Sequence, residues 1–171
     1  MADIRHRMVA ILPKLRAFAH SLARTTDGAD DLVQATCEKA LRAADTWVEG
    51  TRLDSWMFRI MQNQWIDQKR RARPQMTIDS DSASPLMGED GARTVEARMT
   101  LKSVRDFIDE LPEEQRAVLV LVCVEELSYR EAAEVLDVPL GTVMSRLSRA
   151  RSTLIEAVEG ERRVRRTGVS S

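Results

Sequence analysis

Leu-Ser-Tyr-Arg-Glu-Ala-Ala-Glu-Val-Leu-Asp-Val-Pro-Leu-Gly-Thr-Val-Met-Ser-Arg-Leu-Ser-Arg-Ala-Arg, residues 127–151, reads as a short helix, a tight turn and a second helix studded with arginine. That is the form of a helix-turn-helix, whose second helix enters the DNA major groove. Ser128, followed three residues later by Glu131, forms a capping box and predicts a helix start. Ala132, Ala133, Val135 and Leu136 give this helix a small inner face. Asp137, Val138 and Pro139 stop it, because the residue before a proline is pushed out of the helical region. Gly141 and Thr142 offer the next helix start. In the second helix Val143, Leu147, Ala150 and Leu154 recur at helical spacing and predict a buried seam. The other side carries Ser145, Ser148, Arg149 and Ser152, flanked by Met144, Arg146 and Arg151. Arginine pairs bidentately with guanine edges or grips phosphate, and serine is a permissive groove contact. The bland alternative, an amphipathic helix with a solvated basic face, does not account for cap, turn and basic face arriving in this order.

Composition bounds the rest. The chain has 171 residues, room for one medium domain or two small ones. Apolar residues make up 43%, enough for a core, while only 4% are aromatic and only 7 are glycine, which favours helices over sheets. The expected class is all-α. Net charge is −1, so this is no uniformly basic coat protein. Charge is uneven instead: Lys69, Arg70, Arg71 and Arg73 form a basic knot, and acids crowd positions 27–38, 79–90 and 109–114. Such asymmetry suits a chain that meets DNA with some surfaces and protein with others. Cys37 and Cys123 each sit in an apolar helical pattern and read as buried free thiols in a reducing compartment. His6 and His20 have no partners at ligand spacing, so no metal or cofactor is expected. No signal peptide or membrane-length apolar run appears, and a cytoplasmic chain without membrane insertion is expected. No Gly-rich phosphate loop or nucleophile–base pair is present, so no catalytic residue is assigned and an enzyme is disfavoured.

Residues 4–24 carry Ile4, Met8, Ile11, Leu12, Leu15, Phe18, Ala19 and Leu22 at helical spacing, with Pro13 expected to kink or restart the segment. Asp27 is the expected cap of a second helix through Leu32, Val33, Thr36, Cys37, Ala40 and Leu41. Gly50 breaks the pattern, and a third helix follows from about Asp54 to Arg71. Residues 75–94, rich in Ser, Asp, Gly and Pro, read as a flexible tether reaching about 60–70 Å when extended. Helical periodicity resumes at Val95 and closes at Leu111. Pro112 then suits the first position of a helix leading into Ala117–Val124, an apolar run expected to be buried. The expected layout is a first domain over 1–74, a linker over 75–94, a second domain over 95–160 and a basic, disordered tail over 161–171.

These residues resemble the extracytoplasmic-function group of bacterial sigma-70-type initiation factors across nearly the whole chain. Asp30-Asp31-Leu32-Val33-Gln34 with Lys39-Ala40-Leu41 is similar to the helix that grips the polymerase clamp. Trp56-Met57-Phe58-Arg59-Ile60-Met61-Gln62-Asn63, with Asp67 and Lys69-Arg70-Arg71, resembles the helix that reads the −10 element. Leu111-Pro112-Glu113-Glu114-Gln115-Arg116 resembles the opening of the fourth-region domain, and Gly141-Thr142-Val143 with Ser145 to Arg151 its recognition helix. Gly50 to Trp56 and Val138 to Thr142 also look like the branch controlling general stress responses in alphaproteobacteria.

The resemblance implies a non-enzymatic subunit that confers promoter recognition on RNA polymerase core and assists melting. It implies −35 contacts from Thr142, Met144, Ser145, Arg146, Ser148 and Arg149. Met144 stands where many relatives carry a basic residue, which leaves the −35 preference open. It implies −10 contacts from Gly50, Thr51, Arg52, Leu53, Arg59, Asn63, Lys69, Arg70 and Arg71. Gly50 serves equally well as a simple turn, and Asn63 either contacts a base edge or is merely solvated. Trp56 and Trp65 read as core rather than stacking platforms. Asp30, Asp31, Gln34 and Glu38 are the implied polymerase-binding face, with Leu32 and Val33 as core. Implied partners are the clamp and flap of RNA polymerase core, promoter DNA and an anti-sigma factor. Two other classes are open: a sigma-like decoy for an anti-sigma factor, and a plain helix-turn-helix regulator.

Overall fold

The computed structural model describes residues 2–72 and 104–167. All regular elements among them are helical. The expected tether, 75–94, lies outside the described residues. Helix α1 spans Ala2–Ala23 and α2 spans Thr26–Arg42. A 3-10 turn at Ala44–Thr46 leads through an irregular loop to α3, Leu53–Ala72. These three helices pack on one another as the first unit. In the second, α4 occupies residues 104–110, α5 spans Glu113–Leu119 and runs on as a π-helical turn, Val120–Val124. The helix-turn-helix is α6, Tyr129–Leu136, and α7, Leu140–Thr167.

The first core is built as periodicity requires. Leu15, Phe18, Ala19, Leu32, Ala40, Met57, Phe58 and Met61 are fully buried, and Ile11, Leu12, Trp56 and Trp65 pack against them. The Phe18 and Phe58 rings meet edge to face at 5.3 Å, joining α1 to α3. Pro13 sits inside α1 without ending it. Asp27 is not the cap of α2. Thr25 is, its hydroxyl accepting from the Gly28 amide at 3.2 Å, and Asp27 lies in the first turn. A Cβ at Gly28 would stand 2.7 Å from the Thr25 hydroxyl oxygen, so a side chain there would displace the cap.

In the second unit the Ser128–Glu131 capping box forms as expected. Helix α6 stops at Leu136 because Asp137 turns left-handed, φ 53°, one residue before the proline rule acts on Val138. Helix α7 begins at Leu140, ahead of Gly141 and Thr142, with Pro139 accepting from the Thr142 amide. Pro112 is the N-cap of α5 rather than its first residue. The apolar run is only partly buried: Ala117 to Leu121 are inside, whereas the π turn carries Cys123 and Val124 to the surface. Cys123 is therefore an exposed thiol and Cys37 a half-buried one, both free. The tail expected to be disordered is helical as far as Thr167, a continuation of α7 that needs no core residues because its backbone bonds are internal.

Arg116 joins the units. Its side chain is 1% exposed. Its Nε donates to the Ser21 carbonyl at 2.6 Å, and Nη1 to the carbonyls of Leu111 at 2.8 Å and Asp109 at 3.2 Å. Ser21 lies in the last turn of α1, where carbonyls lack helical partners and the dipole favours a cation. Arg24 also donates to the Asp109 carbonyl. Arg116→Ala is expected to lower stability by about 2–4 kcal/mol, because buried carbonyls then lose their donor. Urea unfolding followed by tryptophan fluorescence measures this, and Arg116→Lys, lacking the fork, should recover only part of the loss.

Candidate nucleic-acid interface

Helix α7 presents the face that the helix-turn-helix reading requires. Val143, Leu147 and Ala150 are at most 1% exposed and form the seam, with Leu154 half-buried. Met144, Ser145, Ser148 and Arg149 are exposed, and Thr142 is half-buried. The Ser145 hydroxyl donates to the Thr142 carbonyl at 3.1 Å, one turn back. Arg146 leans off this face to Glu114, 3.5 Å away, so Arg149 is the more accessible of the two arginines.

The second set lies on the loop before α3 and on α3 itself. Gly50 has φ +91°, a conformation that disfavours any side chain, and its neighbourhood is open. Thr51 closes the turn through its amide and hydroxyl, both donating to the Val48 carbonyl. Leu53, grouped with the −10 contacts in the sequence, is 5% exposed and belongs to the core, because it opens α3 on the inner face. Thr51, Arg52, Arg59 and Trp56 line one groove of about 280 Å3 together with Ser55 and, from α6, Glu131, Glu134 and Val135. Asn63 is exposed one turn beyond Arg59, and Lys69, Arg70 and Arg71 end the helix.

Arg52 is held on all sides. Its Nε and Nη2 form a fork on Asp54, at 3.1 and 2.9 Å. Nη1 reaches Glu131 at 3.3 Å, and the carbonyls of Glu125 and Glu126 lie at 3.4 and 3.5 Å. Lys14 adds a second cation to Asp54 at 3.2 Å. Burial alone would raise the Asp54 carboxyl, but hydrogen bonds from Arg52, the Ser55 amide and Lys14 hold it below the usual range. Glu125 goes the other way, pushed up by burial. At the far end of α3, Glu113 accepts from the Trp65 indole at 2.9 Å and from Lys69 at 3.0 Å. Both tryptophans pack against the core, as expected.

The third set is the outer face of α2. Asp30, Asp31, Gln34 and Glu38 are all exposed, while Leu32 and Val33 beneath them are buried. Gln34 donates to Glu38 at 3.3 Å, and Glu38 pairs with Arg42 at 3.6 Å. Among the described residues no cluster of carboxylates, histidines and cysteines could hold a metal, and no helix is long and apolar enough to cross a membrane. Asp54, Glu113, Glu125 and Glu131 were not singled out beforehand as part of this surface. Only Asp54, two residues from Arg52, left a local signal.

Comparison with known proteins places these surfaces in a family. Residues 8–75 match the model for sigma-70 region 2, and residues 101–154 match the model for sigma-70 region 4. The chain is 38% identical to the ECF RNA polymerase sigma factor EcfG of Rhodopseudomonas palustris, over 89% of this chain and 83% of that one. The chain belongs to the extracytoplasmic-function sigma factors. Its function is promoter-specific initiation of transcription, and this family is not a known class of enzyme. The sigma factor RpoE from Bartonella quintana, solved in complex with the anti-sigma factor NepR, is 32% identical with a TM-score of 0.75, covering 93% of this chain and 98% of that one. CnrH, solved with the cytosolic domain of CnrY, is 25% identical with a TM-score of 0.62, covering 91% and 86%. Region 2 thus carries the Gly50–Arg71 set and the acidic face, and region 4 carries the exposed face of α7.

Glu125 generates a pH prediction for this sigma factor. Its carboxyl is raised from 4.5 by burial near Lys14, Asp54 and Arg52. A carboxyl raised in the folded state contributes stability below its unfolded value and loses it as pH rises through the folded one. Ionised Glu125 therefore destabilises the fold at neutral pH. Glu125→Gln should raise Tm at pH 7, by ~2–4 °C for each kcal/mol released, and the gain should vanish near pH 4. Thermal melts across that range measure it.

Proposed function

We propose that this sigma factor reads the −35 element with Thr142, Met144, Ser145, Arg146, Ser148 and Arg149. The observation that carries this is the exposed serine and arginine face of α7 lying opposite a fully buried Val143–Leu147–Ala150 seam. Within that set Arg149 is the principal base or phosphate contact, since Arg146 must first leave Glu114.

The −10 element is read by region 2. Gly50 and Thr51 let backbone approach an unstacked base, and extruding such a base costs a few kcal/mol that a fitted pocket offsets. Arg52, Arg59 and Asn63 line up behind the loop. Lys69, Arg70 and Arg71 hold phosphate and give the affinity its salt dependence. Leu53 shapes the loop from below rather than touching DNA. The Asp30, Asp31, Gln34 and Glu38 face docks on a basic surface of the polymerase clamp, and region 4 engages the flap.

An anti-sigma factor is the expected regulator. Support comes from RpoE, which was solved in complex with the anti-sigma factor NepR. Similarity to EcfG, with the Gly50–Trp56 and Val138–Thr142 stretches, supports membership of the general-stress branch of alphaproteobacteria. The protein acts in the cytoplasm, where its polymerase is, and catalyses no reaction itself. A decoy that only sequesters an anti-sigma factor needs neither basic set, and a plain repressor has no use for region 2.

Run-off transcription with core polymerase on promoter fragments tests the function. Arg149→Ala should weaken −35 duplex binding by ~1–3 kcal/mol while leaving the fold intact, and fluorescence anisotropy reads the change. Asn63→Ala should slow promoter opening more than docking, because its base is reached only after strand separation. Permanganate footprinting of the open complex checks this; normal melting in the variant assigns Asn63 to solvent.

A further inference from the structure

Two of the cations assigned to DNA in region 2, Arg52 and Lys69, are already paired with region 4. Glu131 of α6 sits 3.3 Å from Arg52, and Glu113 of α5 sits 3.0 Å from Lys69. The Glu125 and Glu126 carbonyls complete the hold on Arg52. The α6 side chains Glu131, Glu134 and Val135 form the opposite wall of the groove that contains Thr51, Arg52 and Arg59. All of these contacts join the two units, so they exist only while the units are docked.

We propose that the docked arrangement is a self-inhibited state in which Glu113 and Glu131 stand where DNA phosphate and base edges would otherwise meet Lys69 and Arg52. This rests on the promoter-reading roles given above to region 2 and region 4. Geometry supports it from a second direction. Helices in contact lie about 8–10 Å apart, and α6 is in contact with α3. The −10 and −35 elements are about 25 base pairs apart by position, or about 85 Å at 3.4 Å per pair. The docked units cannot read both at once.

The ion pairs are half-exposed, with Arg52 at 38% and Lys69 at 54%. Pairs of that kind add little to stability. Their effect is competitive: a polyanionic strand must displace them, and until it does the groove is closed to it. The buried fork of Arg116 and the apolar contacts around it hold the units together. Glu131 keeps region 4 intact when the units part, because the same Oε2 accepts from the Ser128 amide at 2.7 Å.

The test uses the full chain with Cys37→Ser and Cys123→Ser. Dyes are placed at Val9→Cys and Ser152→Cys, both exposed positions on different units. Single-molecule energy transfer should give one high-transfer population. A single-stranded oligonucleotide carrying the non-template −10 sequence, or core polymerase, should convert it to low transfer. Glu113→Gln with Glu131→Gln should enlarge the low-transfer fraction several-fold and tighten oligonucleotide binding by the core-free protein about tenfold. Glutamine serves in a capping box as glutamate does, so the double variant folds. A free protein that is already in low transfer overturns the proposal, as does a double variant with unchanged oligonucleotide affinity. Run-off transcription by the wild type separates the two readings: activity with an unaltered double variant sinks only the latch, and no promoter-specific activity sinks the promoter-reading roles beneath it.

Discussion

The arrangement of the two units turns on one buried guanidinium. Arg116 has no carboxylate partner; its acceptors are three main-chain carbonyls, drawn from the end of α1 and from the turn between α4 and α5. Nε and Nη1 are used in this way, while Nη2 is buried without a hydrogen-bond partner; a buried charge is tolerated when enough of its protons are bonded and dipoles point at it. The C-terminal turn of α1 supplies such a dipole. Burial lowers the Arg116 pKa, yet arginine stays protonated at any ordinary pH. The fork ties α5 to the end of α1 and to the end of α4. Glu113 then falls beside Trp65 and Lys69, and the π turn brings the Glu125 and Glu126 carbonyls over Arg52. Helix α6 follows across α3. A side chain at the first turn of α5 thus fixes which surface of region 4 faces region 2.

Much of each unit was legible because its determinants are local. The Ser128–Glu131 box, the break in the helical pattern at Gly50, the Val143–Leu147–Ala150 seam and the burial of Leu32 and Val33 each depend on residues within one or two helical turns. Periodicity registers those directly. The errors were local too, and came from competing signals of similar strength. Thr25 outcompeted Asp27 as a cap because Gly28 admits its hydroxyl. Cys123 and Val124 sit in an apolar run, yet the π turn shifts their phase by one residue and puts them outside. Leu53 was read with the loop it follows, although it is the first residue of α3.

What the sequence hides is the pairing between units. Lys69 and Glu113 are 44 positions apart, and Arg52 and Glu131 are 79 apart. No spacing rule connects them, and each reads alone as an ordinary surface charge. Arg116 is hidden for the same reason: among Glu113, Glu114 and Gln115 it reads as one more exposed helix residue, while its carbonyl partner Ser21 lies 95 positions away. Only the fold reveals that the conspicuous cations of region 2 and the acids of region 4 were matched to each other as well as to outside partners.

That matching gives a physical meaning to the near-zero net charge. A DNA-reading chain with 26 basic residues would ordinarily carry a large positive field, but 27 acidic residues offset it. The acids fall into two groups with different consequences. Those on α2 are exposed, and none of them is paired with the cations assigned to DNA. Glu113, Glu114 and Glu131 lie against Lys69, Arg146 and Arg52, and so neutralise groups that DNA would use. Among the described residues assigned to DNA, Arg59, Arg70, Arg71 and Arg149 are exposed and outside these ion pairs. A polyanion approaching the docked chain therefore meets a reduced field, with Arg52 and Lys69 paired to region 4. Under the latch proposed above, affinity for DNA would depend on conformation, through ion pairs too weak to hold the fold.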